Sequence, residues 1–265
     1  MTARRSTGRR PPWALVPFAA LALAFIVVPL AALVQRAPWS SLGSLLTDPT
    51  VTEALRLSVV SATAATALSL LGGIPLAWML ARVDLPGRSV VRAVVVLPMV
   101  LPPVVGGAAL LLAFGRTGLI GGPVYDGTGV LLPYSLGGVV AANTFVAMPF
   151  LVVTVEAGLR SADRRYEDAA ATLGAGRWMV FRHVTLPMAA PSVVAGAVLC
   201  WARALGEFGA TVTFAGNLQG RTQTMPLAVF LAVQSDREAA IALSLVLVAV
   251  SLAVLVPLRD RWLAA

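Results

Sequence analysis

The 265-residue chain contains no lysine. That absence excludes a P-loop of the G-x-x-x-x-G-K-[ST] kind, whose lysine grips the terminal phosphates of a nucleotide. Any ATP hydrolysis linked to this protein must therefore take place on another chain. Histidine is almost as scarce: His183 stands alone, next to Arg182 in a charged loop, where it serves as a surface or docking residue rather than a ligand. There is no H-E-x-x-H, no Ser/His pair in an apolar segment and no pair of aspartates within one. The sequence accordingly predicts no catalytic residue, no cofactor-binding residue and no metal ligand. One cysteine, Cys200, can form neither an internal disulfide nor a cysteine-rich metal centre. Charge of either sign is thin, at 12% of residues against roughly 25% in soluble domains, while 58% of residues are hydrophobic. These absences define an all-α polytopic membrane protein, expected as a single transmembrane domain over residues 1–265.

What is present is apolar length. About 20 helical residues cross roughly 30 Å of hydrocarbon, and six runs reach that length, near 13–35, 57–81, 93–115, 134–156, 188–213 and 239–258. The first follows a basic start, but it exceeds the roughly 7–15 apolar residues of a signal peptide and lacks a clear A-x-A, so it is expected to be an uncleaved span. All 20 basic residues are arginines and their placement is uneven. One set of connections holds Arg4, Arg5, Arg9 and Arg10; Arg82, Arg88 and Arg92; Arg160, Arg164, Arg165, Arg177 and Arg182; and Arg259 and Arg261. The alternate loops hold Arg36, Arg116, Arg221 and Arg237. Under the positive-inside rule both termini are cytoplasmic. The arginine excess is thus a topology signal and not a nucleic-acid footprint.

Two spans are irregular. The third contains VVVLPMVLPPVVGG, with Pro98, Pro102, Pro103, Gly106 and Gly107. Proline removes a backbone donor, and freed carbonyls in a membrane must face protein or a wet cavity. A kinked helix beside a pathway and a kinked helix buried against neighbours are both consistent with this segment. The fifth carries Arg203 and Glu207 within LCWARALGEFGATVTFAG, although a central charge costs about 2.5–3.5 kcal/mol on insertion scales. Between the third and fourth spans, residues 115–133 are rich in glycine and proline and are expected to be irregular. After the fifth span, residues 224–233 are apolar but too short to cross. Thr224 and Pro226 suit a helix start there, and an interfacial helix on the outer face is expected.

The longest inside connection, residues 160–187, is RSADRRYEDAAATLGAGRWMVFRHVTLP. Ser161 or Asp163 can cap a short helix through RRYEDAAATL, and Gly174 can take the left-handed conformation that ends it. A second amphipathic piece, RWMVFRHVTL, is expected to run to Pro187. The small face of Ala169, Ala170 and Ala171 permits close approach of another surface. A docking knob and a plain surface loop both fit these properties.

In this loop Asp168, Ala169, Ala170, Gly174, Val184, Leu186 and Pro187 form D-A-A-x3-G-x9-V-x-L-P. The pattern resembles the E-A-A-x3-G-x9-I-x-L-P loop of permease subunits of binding-protein-dependent ABC importers, with matching spacing throughout. Asp168 replaces the usual Glu, Val184 replaces Ile, and Glu167 stands one residue earlier. LPMVLPPVVGG, FGRTGLIG, ATLGAGRW and RALGEFGATVTFAGN narrow the resemblance to molybdate permeases, with sulfate and thiosulfate permeases as near relatives. The resemblance implies a type I permease architecture and a bacterial plasma-membrane location. It implies that residues 160–187 form the loop seated in a cleft of an ATP-binding subunit. The partners it implies are two copies of that subunit, an extracytoplasmic oxyanion-binding protein and a second copy of the chain. Sulfate, thiosulfate or tungstate import is the near alternative. An ion-coupled secondary anion carrier is the alternative from a different class, because such carriers also use broken helices and rare intramembrane charges.

A tetrahedral dianion is best held transiently by backbone N–H groups and hydroxyls, since a fixed cation would hold it too tightly to release. Gly206, Gly209, Thr211, Thr213 and Asn217 suit such a lining, with Pro102 and Pro103 in the third span. Arg203 and Glu207, spaced i,i+4, share a helix face and can neutralise each other. Three roles are open to them: a fixed structural pair, a gate latch that switches partners, and direct anion contact by Arg203. The last is least favoured because Glu207 cancels its field.

Overall fold

A computed structural model describes residues 13–262, with side chains up to Val256. Arg4, Arg5, Arg9 and Arg10 lie outside the described residues. Every element within them is helical. A turn of 3-10 helix at Trp13–Leu15 leads into α1 (Val16–Gln35), followed by the short α2 (Leu42–Thr47) and the long α3 (Pro49–Arg82). Then come α4 (Arg88–Val100), α5 (Pro103–Phe114), α6 (Gly121–Thr128) and α7 (Leu136–Ser161). The connection after α7 holds α8 (Arg165–Thr172) and α9 (Arg177–Val180), and a π turn at Phe181–Thr185 joins α9 to α10 (Leu186–Leu205). The chain finishes with α11 (Gly209–Phe214), α12 (Met225–Ser235) and α13 (Arg237–Trp262).

Among the described residues five continuous helices are long and apolar enough to cross a membrane, and α4 with α5 makes a sixth crossing only as a pair bent by 116°. The expected kink in the third span is thus a full break. Its cause is local. A residue before proline is pushed out of the helical region, and the Leu101-Pro102-Pro103 run imposes this twice in succession. Leu101 (φ −65°, ψ 137°) and Pro102 (φ −53°, ψ 132°) are both extended, and Pro103 then opens α5 at a position where its missing N–H costs nothing. The fifth span also departs from its expected bounds. It continues back through Pro187 as one helix from Arg177 to Leu205, the π turn widening the helix where Pro187 supplies no donor. It then stops at Gly206, and α11 resumes from Gly209.

The second span begins earlier than its apolar run. Pro49 occupies the first turn, and Asp48 caps it by accepting from the Thr50 N–H at 2.7 Å. At about 1.5 Å per residue α3 is roughly 51 Å long, more than a hydrocarbon core requires, so Glu53 and Arg56 fall in its first turns. The core forms where α3, α7 and α10 meet around Ala62, Ala65, Leu80, Leu151, Val155 and Cys200. Small residues set that spacing: a Cβ on Gly196 would stand 3.2 Å from the Leu151 carbonyl oxygen, and one on Gly158 would overlap Ser192. By contrast α1 has no buried residue.

One peripheral expectation changes. Residues 115–133 contain a helix, α6, with Arg116 stacked 4.7 Å above the Tyr125 ring centroid. The helix after Thr224 forms as expected: Met225 and Leu227 are fully buried on the face packed against α3 and α13, while Phe230, Leu231 and Val233 are exposed on the other.

Candidate functional site

Residues 162–185 form a helical elbow whose geometry is fixed from both sides. Asp163 accepts from the Arg165 N–H at 3.0 Å and starts α8. Ser161 instead ends α7, its hydroxyl donating to the Gly158 carbonyl. At the far end the Gly174 N–H reaches the Ala171 carbonyl and the Ala175 N–H reaches that of Ala170, the paired bonds of a Schellman motif. Gly174 has φ +87°, the left-handed value such an ending demands. The chain then turns through Gly176 into α9 and the π turn, where Phe181 stacks on Trp178 and meets Trp78 of α3 edge-on.

Glu167 fastens the elbow to the bundle. Its Oε1 pairs with Arg82 Nη2 at 3.1 Å, at the end of α3, and accepts from the Thr185 hydroxyl at 2.9 Å. Arg164 adds a bond to the Ala81 carbonyl at 3.1 Å. The side chains of Arg82 and Glu167 are 6% and 17% exposed, so this pair is largely withdrawn from solvent. Asp168, the residue at the family's acidic position by spacing, is exposed, as are Ala169, Gly174 and Pro187. Ala170, Val184 and Leu186 are half-buried. Tyr166 and Leu173 are exposed on the elbow, Leu173 at 89%. A groove of about 480 Å³ runs between the elbow and the end of α3, with Arg82, Asp84, Glu167 and Arg177 on its walls.

The second cluster lies at the break between α10 and α11. Arg203 Nη2 stands 2.6 Å from Glu207 Oε2, while Glu207 Oε1 accepts from the Ala210 N–H at 2.7 Å. One carboxylate therefore neutralises the last turn of α10 and caps α11. Its side chain is 1% exposed and that of Arg203 is 28%. α11 packs on α5 through glycine at both contacts. A Cβ at Gly209 would lie 2.8 Å from Pro103 Cβ, and one at Gly107 would lie 2.6 Å from Thr213 Cβ.

Of the residues expected to line a path, Pro103, Gly209 and Thr213 are thus brought together, with Gly206 exposed beside the Arg203–Glu207 pair. Gly209 and Thr211 are buried inside the chain, whereas Pro102 and Pro103 are exposed. Asn217 follows α11 in the next loop, and its Oδ1 is buried with no hydrogen-bond partner among the described residues.

Sequence reasoning missed two polar residues. Asn143 on α7 is 2% exposed, donating from Nδ2 to Ser61 Oγ at 3.2 Å and accepting from the Thr211 hydroxyl at 3.4 Å. Glu156, also on α7, is ion-paired with Arg92 of α4 and with Arg160, the latter at 2.9 Å. The available signal was their isolation: an amide or a carboxylate inside an apolar span requires a partner.

A bundle with two broken spans, a buried charge pair at one break and an elbow at one end has the form of a membrane-embedded transport subunit. The chain belongs to the binding-protein-dependent transport system inner membrane component family, which matches residues 73–265. The ModB molybdenum transport system permease protein of Mycobacterium tuberculosis is 48% identical over 253 residues, covering 95% of this chain and 94% of the relative. That of Escherichia coli K12 is 41% identical, covering 83% and 96%. The E. coli sulfate transport system permease protein CysT is 36% identical, covering 87% and 84%. Among solved structures, a bacterial ABC transporter that imports the acidic polysaccharide alginate superposes with a TM-score of 0.71 at 20% identity, covering 94% and 92%. The fold is that of ABC-importer permeases.

Proposed function

We propose that this chain is the membrane-spanning subunit of an ATP-driven molybdate importer, multi-pass in a bacterial plasma membrane with both termini cytoplasmic. It works with a second copy of itself, two copies of a separate ATP-binding subunit and an extracytoplasmic oxyanion-binding protein. The observation that carries the reading is the elbow. Glu167, Arg82 and Thr185 seat α8 on the end of α3, while Tyr166 and Leu173 are left exposed for a partner. A loop held this rigidly transmits a push instead of absorbing it.

When the ATP-binding subunits close, the elbow carries α3 and α7 with it as rods, and rigid-body rotation alternates the opening between the two sides. The permease makes and breaks no covalent bond. The Arg203–Glu207 pair is net neutral and holds no fixed positive charge against the substrate. Exposed Gly206, Pro102 and Pro103 with half-buried Thr213 form the lining, with Asn217 beyond them. Gly209 and Thr211 support that lining from behind. The molybdate assignment rests on 48% identity over nearly the whole chain to relatives named for molybdenum transport, and sulfate is the second reading because a sulfate permease also aligns along most of it.

The test is uptake of labelled molybdate in cells with this system as sole importer, with sulfate and tungstate as competitors. Uptake is expected to vanish when the ATP-binding subunit is deleted and to withstand proton and sodium uncouplers. Uptake that survives the deletion would overturn the ATP-driven reading. Sulfate competing as well as unlabelled molybdate would move the assignment to sulfate.

A further inference from the structure

We infer that Asn143 is the side chain that makes α11 follow the two elbow-bearing helices α3 and α7, a positioning role that rests on the transport function proposed above. Both ends of its amide are engaged. Oδ1 receives the Thr211 hydroxyl of α11 at 3.4 Å, and Nδ2 donates to Ser61 Oγ of α3 at 3.2 Å. Ser61 donates onward to the Ser58 carbonyl, and Ser58 Oγ accepts from the Met225 N–H at the start of α12. A polar line therefore crosses α11, α7, α3 and α12 through the interior of the bundle. Thr211, Ser61 and Asn143 are at most 2% exposed, so water cannot replace a broken link.

The two long helices that Asn143 joins are both attached to the elbow, which also continues into α10 as one helix. α7 runs into the elbow at Ser161, about 27 Å from Asn143 along the helix axis. α3 ends at Arg82, which holds Glu167, about 32 Å from Ser61. Each helix has the elbow at one end, and toward the other α7 carries Asn143 and α3 carries Ser61. α11 has six residues, and Thr211 is its one side-chain hydrogen bond to α7 among the described residues. Sliding α7 past α3, or either past α11, would strand a buried amide or hydroxyl without a partner, which apolar surroundings penalise heavily. The amide thus makes α11 follow the rods. An apolar side chain of similar size would fill the same space and would leave α11 free to lag.

The experiment uses the permease assembled with its ATP-binding subunit in proteoliposomes with its binding protein, measuring labelled molybdate uptake and ATP hydrolysis in the same vesicles. Asn143→Leu and Thr211→Val preserve volume and remove the polar link from either side. Uptake per ATP is expected to fall on the order of tenfold in Asn143→Leu, with hydrolysis still stimulated by the loaded binding protein. Thr211→Val should fall in the same direction, and the double variant should lose no more than Asn143→Leu alone. Losses that add, hydrolysis and uptake falling together in both single variants, or an unchanged ratio would each overturn the proposal. If Asn143→Leu does not assemble, the ratio in Thr211→Val decides alone. Failure of the wild-type vesicles to import molybdate with ATP would instead overturn the transport reading.

Discussion

Glu207 has two carboxylate oxygens, and the fold commits them to different tasks, one to Arg203 and one to the Ala210 N–H that opens α11. This changes what a charge swap tests. If the pair mattered only as a pair, Arg203→Glu with Glu207→Arg would restore whatever each single change removes. An arginine at 207 has no acceptor for the Ala210 N–H, so the swap is expected not to restore uptake. Arg203→Gln, which strands a carboxylate 1% exposed, and Glu207→Ala, which loses the cap, are expected to be more severe than Glu207→Gln. The amide oxygen of Glu207→Gln can still accept from Ala210, and only the 28% exposed Arg203 is left unpaired. Losing the cap alone costs about 0.5–2 kcal/mol. Labelled uptake and thermal unfolding of the four variants check this. At the elbow two adjacent acids separate in the same way. Glu167→Ala strands a nearly buried Arg82, which costs up to about 3–5 kcal/mol, and should lower both the unfolding midpoint and elbow-dependent ATPase stimulation. Asp168→Ala, with no partner to strand, should leave the midpoint unchanged. The i,i+4 pairing of Arg203 with Glu207 was legible from spacing. The spacing of the family pattern pointed to Asp168, whereas the carboxylate that binds Arg82 is Glu167, because only the fold brings the end of α3 beneath α8.

At the scale of elements, α11 is too short to hold itself in place and depends on how closely α5 approaches it. That approach is possible only because Gly107 and Gly209 face it. Gly107→Ala and Gly209→Ala each place a methyl group 2.6–2.9 Å from the opposite helix and should destabilise by about 1–3 kcal/mol through overpacking. Gly206→Ala, whose Cβ would meet nothing nearer than the Ala202 carbonyl at 3.7 Å, should unfold at the wild-type temperature. Thermal unfolding of the purified permease distinguishes them. The same elements show where sequence reasoning succeeds. Apolar length marked the five continuous long helices, and Gly174 marked the end of α8, because both are decided within a few residues. The double proline at 102–103 announced a disturbance, but whether it kinks or breaks the span depends on α5 finding α11 to pack against. The backward extension of α10 through Pro187 was hidden because proline usually stops a helix, and only a π turn accommodates it here.

At the scale of the whole molecule, the arginines of the α3–α4 and α7–α10 connections gather at the elbow end of the bundle, while α2, α6 and α12 belong to the opposite connections. Arg82, Arg88, Arg92, Arg160 and Arg164 are also the residues that tie helix ends together there. Arg82 and Arg164 hold the elbow, Arg92 and Arg160 flank Glu156, and Arg88 reaches the Leu80 carbonyl. Topology signal and structural tie are thus the same side chains, which couples the orientation of insertion to the integrity of the elbow. The orientation is directly measurable because Cys200 is the sole cysteine and is fully buried. In a Cys200→Ala background, single cysteines at Leu173 on the elbow and at Gly127 in α6 place one thiol at each end of the bundle, both exposed. A membrane-impermeant maleimide should label Leu173→Cys in inside-out vesicles and spare it in right-side-out ones, with the reverse for Gly127→Cys. Labelling of Leu173→Cys from the outer side would place the elbow away from any cytoplasmic ATP-binding subunit and would remove the physical basis for coupling through it.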